Sequence, residues 1–153
     1  MRALELKIPP PVVGLMVATL MWLAAWAVPA LRFELPARRL LAGCVALVGL
    51  SFSVAGMASF RRARTTMNPM RPESASSLVV SGVYRISRNP MYVGVSFVLL
   101  AWAVLLSNAS AFAFLPAFVL YISRFQIQPE EAALVKMFGE EYASYRSRVR
   151  RWL

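Results

Sequence analysis

The side chains that could take part in chemistry concentrate in two polar segments, residues 82–94 and residues 129–146. The sequence contains no histidine and no aspartate, and Cys44 is its one cysteine. This composition excludes a Ser-His-Asp triad, a Cys-His pair, a histidine-ligated metal and an intrachain disulfide. We therefore expect no metal, and any reaction must depend on Glu, Arg, Tyr, Ser, Thr or Asn side chains or on a bound cofactor.

The first segment places Arg88 and Asn89 directly before Pro90. Proline disfavours helical backbone at the preceding residue but is tolerated in the first turn, so a helix is predicted to begin at about Pro90 with Asn89 at its N-cap. A helix N-terminus presents unpaired amide donors and a positive dipole end, which suits a carboxylate. The alternative is a capped helix whose arginines contact lipid phosphates, and both interpretations stay open at this point.

The second segment predicts an amphipathic helix over residues 129–150, bent at Gly139. At about 100° per residue its apolar side chains form one stripe under about 90° wide. The stripe consists of Leu134, Phe138, Tyr142, Tyr145 and Val149. Packing on a membrane surface is expected to account for most of it.

Glu130 and Glu131 do not fit this pattern, because both point toward the apolar face of the predicted helix. A carboxylate buried there without a partner costs several kcal/mol, so each needs a partner or a function. The alternative is that the two acids only cap the helix start, where negative charge suits the dipole.

The elements that must position these segments are membrane-spanning helices. The sequence has 59% apolar and 16% charged residues and a mean hydropathy of +0.58, a balance more apolar than that of a soluble domain. The predicted spans are 11–31, 40–60, 91–106 and 111–127, the last two joined by an uncharged turn at 107–110. We predict an all-α polytopic membrane protein with about four transmembrane helices and a cytoplasmic C-terminal amphipathic helix, forming a single integral membrane domain over 1–153.

The charge distribution predicts the orientation. The chain has 17 basic and 7 acidic residues, a net charge of +10, which in a soluble protein would suggest nucleic acid. Here the arginines flank apolar runs, so the positive-inside rule explains them and we expect no nucleic-acid partner. The connection 61–90 contains Arg61, Arg62, Arg64, Arg71, Arg85 and Arg88 against Glu73 alone, and the end of the chain adds Arg146, Arg148, Arg150 and Arg151. The connection and both termini are therefore predicted to be cytoplasmic.

Two ordered motifs carry a resemblance to a known family. They are Gly-x-Tyr-x-x-x-Arg-Asn-Pro-x-Tyr-x-Gly at 82–94 and Glu-Glu-x-x-Leu-x-x-x-Phe-Gly-x-x-Tyr-x-x-Tyr at 130–145. From about Thr65 to the C-terminus the chain resembles the membrane methyltransferases related to isoprenylcysteine carboxyl methyltransferase, and the phospholipid N-methyltransferases share the outline. Asn89 is a departure, because the eukaryotic carboxyl methyltransferases have histidine there and asparagine is associated with bacterial relatives.

The resemblance implies a helical pocket for S-adenosyl-L-methionine, with S-adenosyl-L-homocysteine as product. The cofactor-binding residues that it implies are Tyr84, Asn89, Tyr92, Gly94, Glu130 and Glu131, with Gly82 in the same motif. Arg88 and Glu131 are the implied catalytic residues. On this interpretation Asn89 and the helix N-terminus hold the methionyl carboxylate, the glutamates receive the amino or ribose groups, and Arg88 faces the substrate.

The predicted reaction is methyl transfer at the cytoplasmic membrane face to a membrane-embedded or amphiphilic acceptor. A carboxylate acceptor is already ionised and needs only a cationic contact such as Arg88, whereas an amine must first lose a proton to Glu or Tyr. The acceptor group, carboxylate, thiol or amine, stays open, as does the oligomeric state. The alternatives are a phospholipid N-methyltransferase and a non-catalytic bundle that binds anionic lipid. A transporter is disfavoured because no acidic residue lies inside a predicted span.

Overall fold

The computed structural model describes residues 5–65 and 76–153, which are helices, turns and connections without a strand apart from one isolated bridge between Arg32 and Asn108. Arg71, Glu73 and the rest of 66–75 in the predicted connection lie outside the described residues. The helices are α1 (Pro10–Ala27), α2 (Arg38–Arg62), α3 (Pro90–Leu106), α4 (Ala109–Phe112), α5 (Phe114–Ile122) and α6 (Gln128–Arg148). Short 3-10 helices at Pro29–Leu31 and Gly82–Arg85 and a π-helical turn at Ser123–Ile127 complete the order.

The apolar helices confirm an all-α polytopic membrane protein. Among the described residues three helices are long and apolar enough to cross a membrane: α1, α2 and the helical run Ala109–Arg148. Helix α3 is also apolar but has 17 residues, about 26 Å at about 1.5 Å per residue, slightly less than the hydrocarbon thickness. The four predicted spans thus correspond to α1, α2, α3 and the first half of the run Ala109–Arg148.

Two predicted boundaries differ from the structure. The first span was expected to reach residue 31, but α1 ends at Ala27 because Pro29 starts a separate 3-10 helix. The fourth span and the C-terminal helix were predicted as separate segments, 111–127 and 129–150, but the backbone stays helical through Ile127 and Gln128. The interruption lies further on, at Gly139, whose φ of 48° and ψ of −121° bend α6. That bend was predicted, and glycine adopts this left-handed φ without a steric penalty.

Helices α2 and α3 pack closely through glycines. A Cβ atom at Gly49 would lie 2.6 Å from the backbone oxygen of Gly94, and one at Gly56 would lie 2.8 Å from Met91 Cγ. Gly94 itself faces Ser53 and Gly49 of α2. Small residues at these positions bring the two helix backbones together, which fixes the position of the α3 N-terminus relative to α2.

The turn between α3 and α4 is tied to the end of α1. Asn108 is fully buried, and its Nδ2 donates to the backbone oxygens of Ala25 at 3.3 Å and Val28 at 2.9 Å. Its Oδ1 accepts from the Ser110 backbone N–H at 2.9 Å. Both the nitrogen and the oxygen of the amide group therefore have hydrogen-bond partners, which stabilises this polar turn where it packs on the apolar helices.

The apolar stripe of α6 packs against the protein itself. Tyr142 and Tyr145 form a buried cluster with Val79 and Tyr84, and Phe60 at the end of α2 lies against it. The Tyr145 hydroxyl donates to the backbone oxygen of Tyr84 at 2.7 Å. The expectation that membrane-surface packing accounts for most of the stripe is therefore wrong, because residues 78–84 and α2 supply an apolar surface that the helical pattern alone does not reveal.

Candidate functional site

The two sequence motifs meet at one end of the helix bundle. Residues 87–90 lead into the N-terminus of α3, and Glu130 and Glu131 occupy the first turn of α6. After α6 ends at Arg148, Val149 adopts extended backbone and the C-terminal tail, residues 149–153, folds back over the start of α3. The site is therefore built from three parts of the chain that are distant in sequence.

Glu131 lies at the centre of this site as a buried carboxylate, 7% exposed. Arg88 Nη2 lies 2.9 Å from Glu131 Oε1. Arg151 binds both oxygens, with Nη2 2.7 Å from Oε2 and Nε 3.2 Å from Oε1, and this hydrogen bonding raises the pKa of Arg151. We call Arg88, Glu131 and Arg151 the charged cluster. Two guanidinium groups around one carboxylate explain how α6 buries Glu131, and they show that capping is not its only interaction.

Arg88 faces the interior rather than the lipid surface. Its side chain is 8% exposed, and its Nη1 donates to the backbone oxygen of Arg146 at 3.3 Å. Its backbone N–H donates to the backbone oxygen of Arg150 at 2.9 Å. Its Nε is buried and has no hydrogen-bond partner within residues 5–65 and 76–153. For Arg88 the lipid-phosphate interpretation is therefore wrong, and its Nε remains a donor for a ligand that has an acceptor group.

Asn89 is the N-cap residue of α3, as predicted, but its side chain makes no capping bond. Its Nδ2 donates to the backbone oxygen of Arg151 at 2.9 Å, and its backbone N–H donates to Ser87 Oγ at 3.1 Å. Ser87 Oγ in turn donates to the same Arg151 oxygen at 3.3 Å. The C-terminal tail thus covers the Asn89 amide, the group predicted to hold the cofactor carboxylate.

Glu130 forms a second link between α3 and α6, beside the charged cluster. The Tyr92 hydroxyl donates to Glu130 Oε1 at 2.6 Å, and Gln126 Nε2 donates to the same oxygen at 3.1 Å. Both of these hydrogen bonds use Oε1, so Oε2 can accept a further bond from a ligand. Tyr92 and Glu130, two of the predicted cofactor-binding residues, are therefore in direct contact.

The structure places Tyr84 and Gly94 at the edge of this arrangement. Tyr84 lies buried in the α6 cluster, with its ring edge-on to Phe60 at 5.5 Å. Burial, with Tyr145 and Glu130 nearby, raises the pKa of Tyr84, so its hydroxyl stays protonated. Gly94 faces α2, which gives it a packing role in addition to the cofactor role that the motif predicts.

The structure thus brings Arg88, Asn89, Tyr92, Glu130 and Glu131 together, and it adds residues outside the predicted set. They are Ser87, Gln126, Arg151 and Trp152, whose indole N–H lies 3.3 Å from Ser123 Oγ. From the sequence, Arg151 is predicted only to add positive charge at the end of the chain. A buried Glu131 needs a cation, but residues 61–90 and 146–151 contain ten arginines, and their spacing in the sequence does not show which of them it binds.

The comparison with protein families agrees with this geometry. Residues 37–141, more than half of the chain, match the model of the phospholipid methyltransferase family. The chain belongs to this family. The matched region contains Arg88, Asn89 and Glu131, whereas Arg151 lies beyond its end. The protein is thus a membrane methyltransferase by family, which disfavours the non-catalytic bundle.

Individual relatives match less than half of the chain. Protein-S-isoprenylcysteine O-methyltransferases from Mus musculus and Homo sapiens are 37% identical over 73 residues, which is 48% of this chain but only 26% of each relative. An uncharacterized protein from Haemophilus influenzae is 44% identical over 63 residues, 41% of this chain and all of that protein. No solved structure matches significantly. The resemblance to both methyltransferase groups is confirmed at the level of the family.

The site offers hydrogen-bonding and charged groups rather than a metal centre. Within the described ranges no group of three or more His, Cys, Asp or Glu side chains could hold a metal ion. Arg88, Arg151, Asn89, Tyr92 and the two glutamates are the groups that can bind and orient polar organic molecules.

Proposed function

We propose that this protein is an S-adenosyl-L-methionine-dependent methyltransferase that acts at the cytoplasmic membrane face on a membrane-embedded or amphiphilic acceptor. The observation that carries the proposal is the 2.9 Å ion pair between Arg88 and Glu131, which joins the two sequence motifs in a chain of the methyltransferase family. The termini and the site are proposed to face the cytoplasm because Arg61 and Arg62 end α2 at the side where the arginine-rich tail lies.

The polar groups of the site fit the parts of this cofactor. One N–H of Asn89 Nδ2 donates to the Arg151 backbone oxygen, so its second N–H and the α3 N-terminus are the groups suited to the methionyl carboxylate. The unpartnered Nε of Arg88 is a further donor for an anionic group. Oε2 of Glu130 can accept from the amino or ribose groups, while Tyr92 holds the same carboxylate in place. Glu131 supports the site by holding Arg88 and Arg151.

The cofactor, when bound, supplies an electrophilic methyl group on a sulfonium. The protein has to hold the acceptor in line with it and exclude water, and such alignment can contribute about 7–11 kcal/mol. Arg88 would contact a carboxylate acceptor, which needs no base. For an amine acceptor, we propose Glu130 rather than a tyrosine as the group that takes up the proton.

A phospholipid amine is the second candidate acceptor, because the matched family is that of the phospholipid methyltransferases. A prenylated cysteine carboxylate is the first, because the buried Arg88 guanidinium favours an anion. The two differ in their products, since a methyl ester is released by mild alkali and an N-methyl group is not.

The proposal is tested by methyl transfer from radiolabelled S-adenosyl-L-methionine with purified protein in lipid nanodiscs. A prenylated cysteine, phosphatidylethanolamine and an alkanethiol are offered separately. We expect label in one product from the wild type, and loss of at least about 100-fold in Arg88→Ala, because a charge contact made at the reacting group is removed. An exposed arginine of the same face, Arg148→Ala, is the control. Equal rates for Arg88→Ala and wild type would contradict the assignment of Arg88.

A further inference from the structure

An apolar groove with a volume of about 560 Å³ lies between α1, α2 and α3. Its lining extends to Arg39 in the first turn of α2 and to Leu105 at the end of α3. The charged cluster lies at the opposite end of α3, where Pro90 is about 22 Å along the helix from Leu105 and about 12 Å from Val98, the nearest lining residue of α3. The groove is therefore separate from the candidate site.

One wall of the groove is a single face of α2. Its lining residues are Arg39, Ala42, Gly43 and Ala46, which are three, four and seven positions apart and so lie along one side of the helix for about 10 Å. A Cβ atom at Gly43 would meet no atom within 4 Å. Unlike Gly49 and Gly56, which pack against α3, Gly43 thus leaves open space beside the helix.

The opposite wall has the same spacing on α3, with Val98, Ala101, Trp102 and Leu105. The indole N–H of Trp102 donates to the backbone oxygen of Ala18 at 3.0 Å, so its polar group is satisfied and its ring contributes apolar surface. Two helix faces with small and apolar side chains therefore form the walls of the groove, which fits a hydrocarbon chain.

Arg39 is the one charged side chain of this lining. It is exposed, and it forms no ion pair or hydrogen bond through its side chain within residues 5–65 and 76–153. A cation at the mouth of an apolar groove, where α2 begins, is complementary to a molecule that has a phosphate at one end and a hydrocarbon chain behind it.

We infer that this groove binds one anionic phospholipid, with the phosphate at Arg39 and an acyl chain along Gly43 between α2 and α3. The headgroup of this lipid lies at the end of the bundle away from Arg88 and Glu131, so it is not the methyl acceptor. Instead the lipid fills the space between α1, α2 and α3 and holds these helices together. This inference does not depend on the proposed function.

The inference is tested by native mass spectrometry of the delipidated full-length protein, titrated with dioleoylphosphatidylglycerol in detergent. We expect one lipid per protein chain to bind more tightly than all others. Gly43→Leu, which fills the groove, should weaken that first binding by about tenfold or more. Arg39→Gln should weaken it by about fivefold, because one surface cation is lost.

The matched controls are Ala55→Leu, which introduces the same side chain at an exposed position of α2, and Arg38→Gln, which removes the neighbouring exposed charge. Both should bind the lipid like the wild type. Unchanged binding in Gly43→Leu and Arg39→Gln would overturn the inference, as would equal losses in the controls. The inference would also be overturned if the wild type forms a dimer without lipid and Gly43→Leu disrupts that dimer, since a second copy of the chain would then fill the groove. Arg39→Gln keeps the test decisive if Gly43→Leu does not fold.

Discussion

At the scale of single residues, the charged cluster explains why a membrane protein tolerates a buried carboxylate. Glu131 is paired with two arginines, one before α3 and one in the C-terminal tail. Because Glu131 is buried, removal of Arg151 leaves Oε2 without its partner, whereas removal of Arg88 leaves Oε1 with Arg151 Nε alone. The cluster therefore stabilises the fold as well as the site, and the two effects need matched variants to separate them.

Arg151→Gln should lower the free energy of unfolding by about 1–3 kcal/mol, because Glu131 loses a two-point contact while it stays buried. Arg150→Gln is the control, since its exposed side chain is not part of the cluster and its backbone oxygen still accepts from Arg88. It should change stability by less than about 0.5 kcal/mol. Thermal unfolding in detergent measures both. Equal stability of the two variants would contradict the structural role of Arg151.

Tyr92→Phe keeps the ring but removes the hydroxyl that donates to Glu130 Oε1 at 2.6 Å. If Tyr92 holds Glu130 in place for the cofactor, binding of S-adenosyl-L-homocysteine should weaken by about tenfold, which is a loss of about 1.4 kcal/mol in binding free energy. Tyr121→Phe is the control, because Tyr121 contacts Phe125 through its ring at 4.9 Å. Isothermal titration calorimetry compares the two, and unchanged affinity in Tyr92→Phe would remove Tyr92 from the cofactor site.

At the scale of helices, the α2–α3 contact sets the position of the site. Gly94→Ala would place a methyl group against Ser53 and the Gly49 backbone, so we expect a loss of about 1–3 kcal/mol in stability. Gly43→Ala, with open space at its Cβ, should be neutral or stabilising by up to about 1 kcal/mol. Thermal unfolding of the two variants measures the difference. If Gly94→Ala is as stable as the wild type but no longer binds S-adenosyl-L-homocysteine, Gly94 contacts the cofactor and does not act through packing.

The helical elements were predictable where local chemistry determines them. Pro90 and Asn89 predicted the start of α3, and Gly139 predicted the bend of α6, because proline and glycine restrict or free the backbone at their own positions. The contact of the α6 stripe with α2 and residues 78–84 was not predictable, because it joins segments far apart in sequence. The same holds for Arg151, which reaches Glu131 only because the tail reverses direction after Val149.

At the scale of the whole molecule, the site lies at the end of the bundle that contains the arginine-rich segments. We therefore predict that the tail and the α3–α4 turn lie on opposite sides of the membrane. In a Cys44→Ser background, Ser147→Cys should react with an impermeant maleimide only when the cytoplasmic face is accessible, and Ala109→Cys only from the outer face. Both positions are exposed. Labelling of both from the same side would contradict a membrane crossing by α3.

The most direct test of the central claim is the thermal stability of the detergent-purified protein with S-adenosyl-L-homocysteine titrated in. At about 100 times its dissociation constant the ligand should stabilise the wild type by about 2.7 kcal/mol. Glu131→Gln should lose this shift relative to its own ligand-free midpoint, whereas Glu141→Gln, at an exposed position of α6, should keep it. That result would support a cofactor pocket formed by the two motifs. A well-folded wild type whose stability does not change at millimolar ligand would contradict the methyltransferase account.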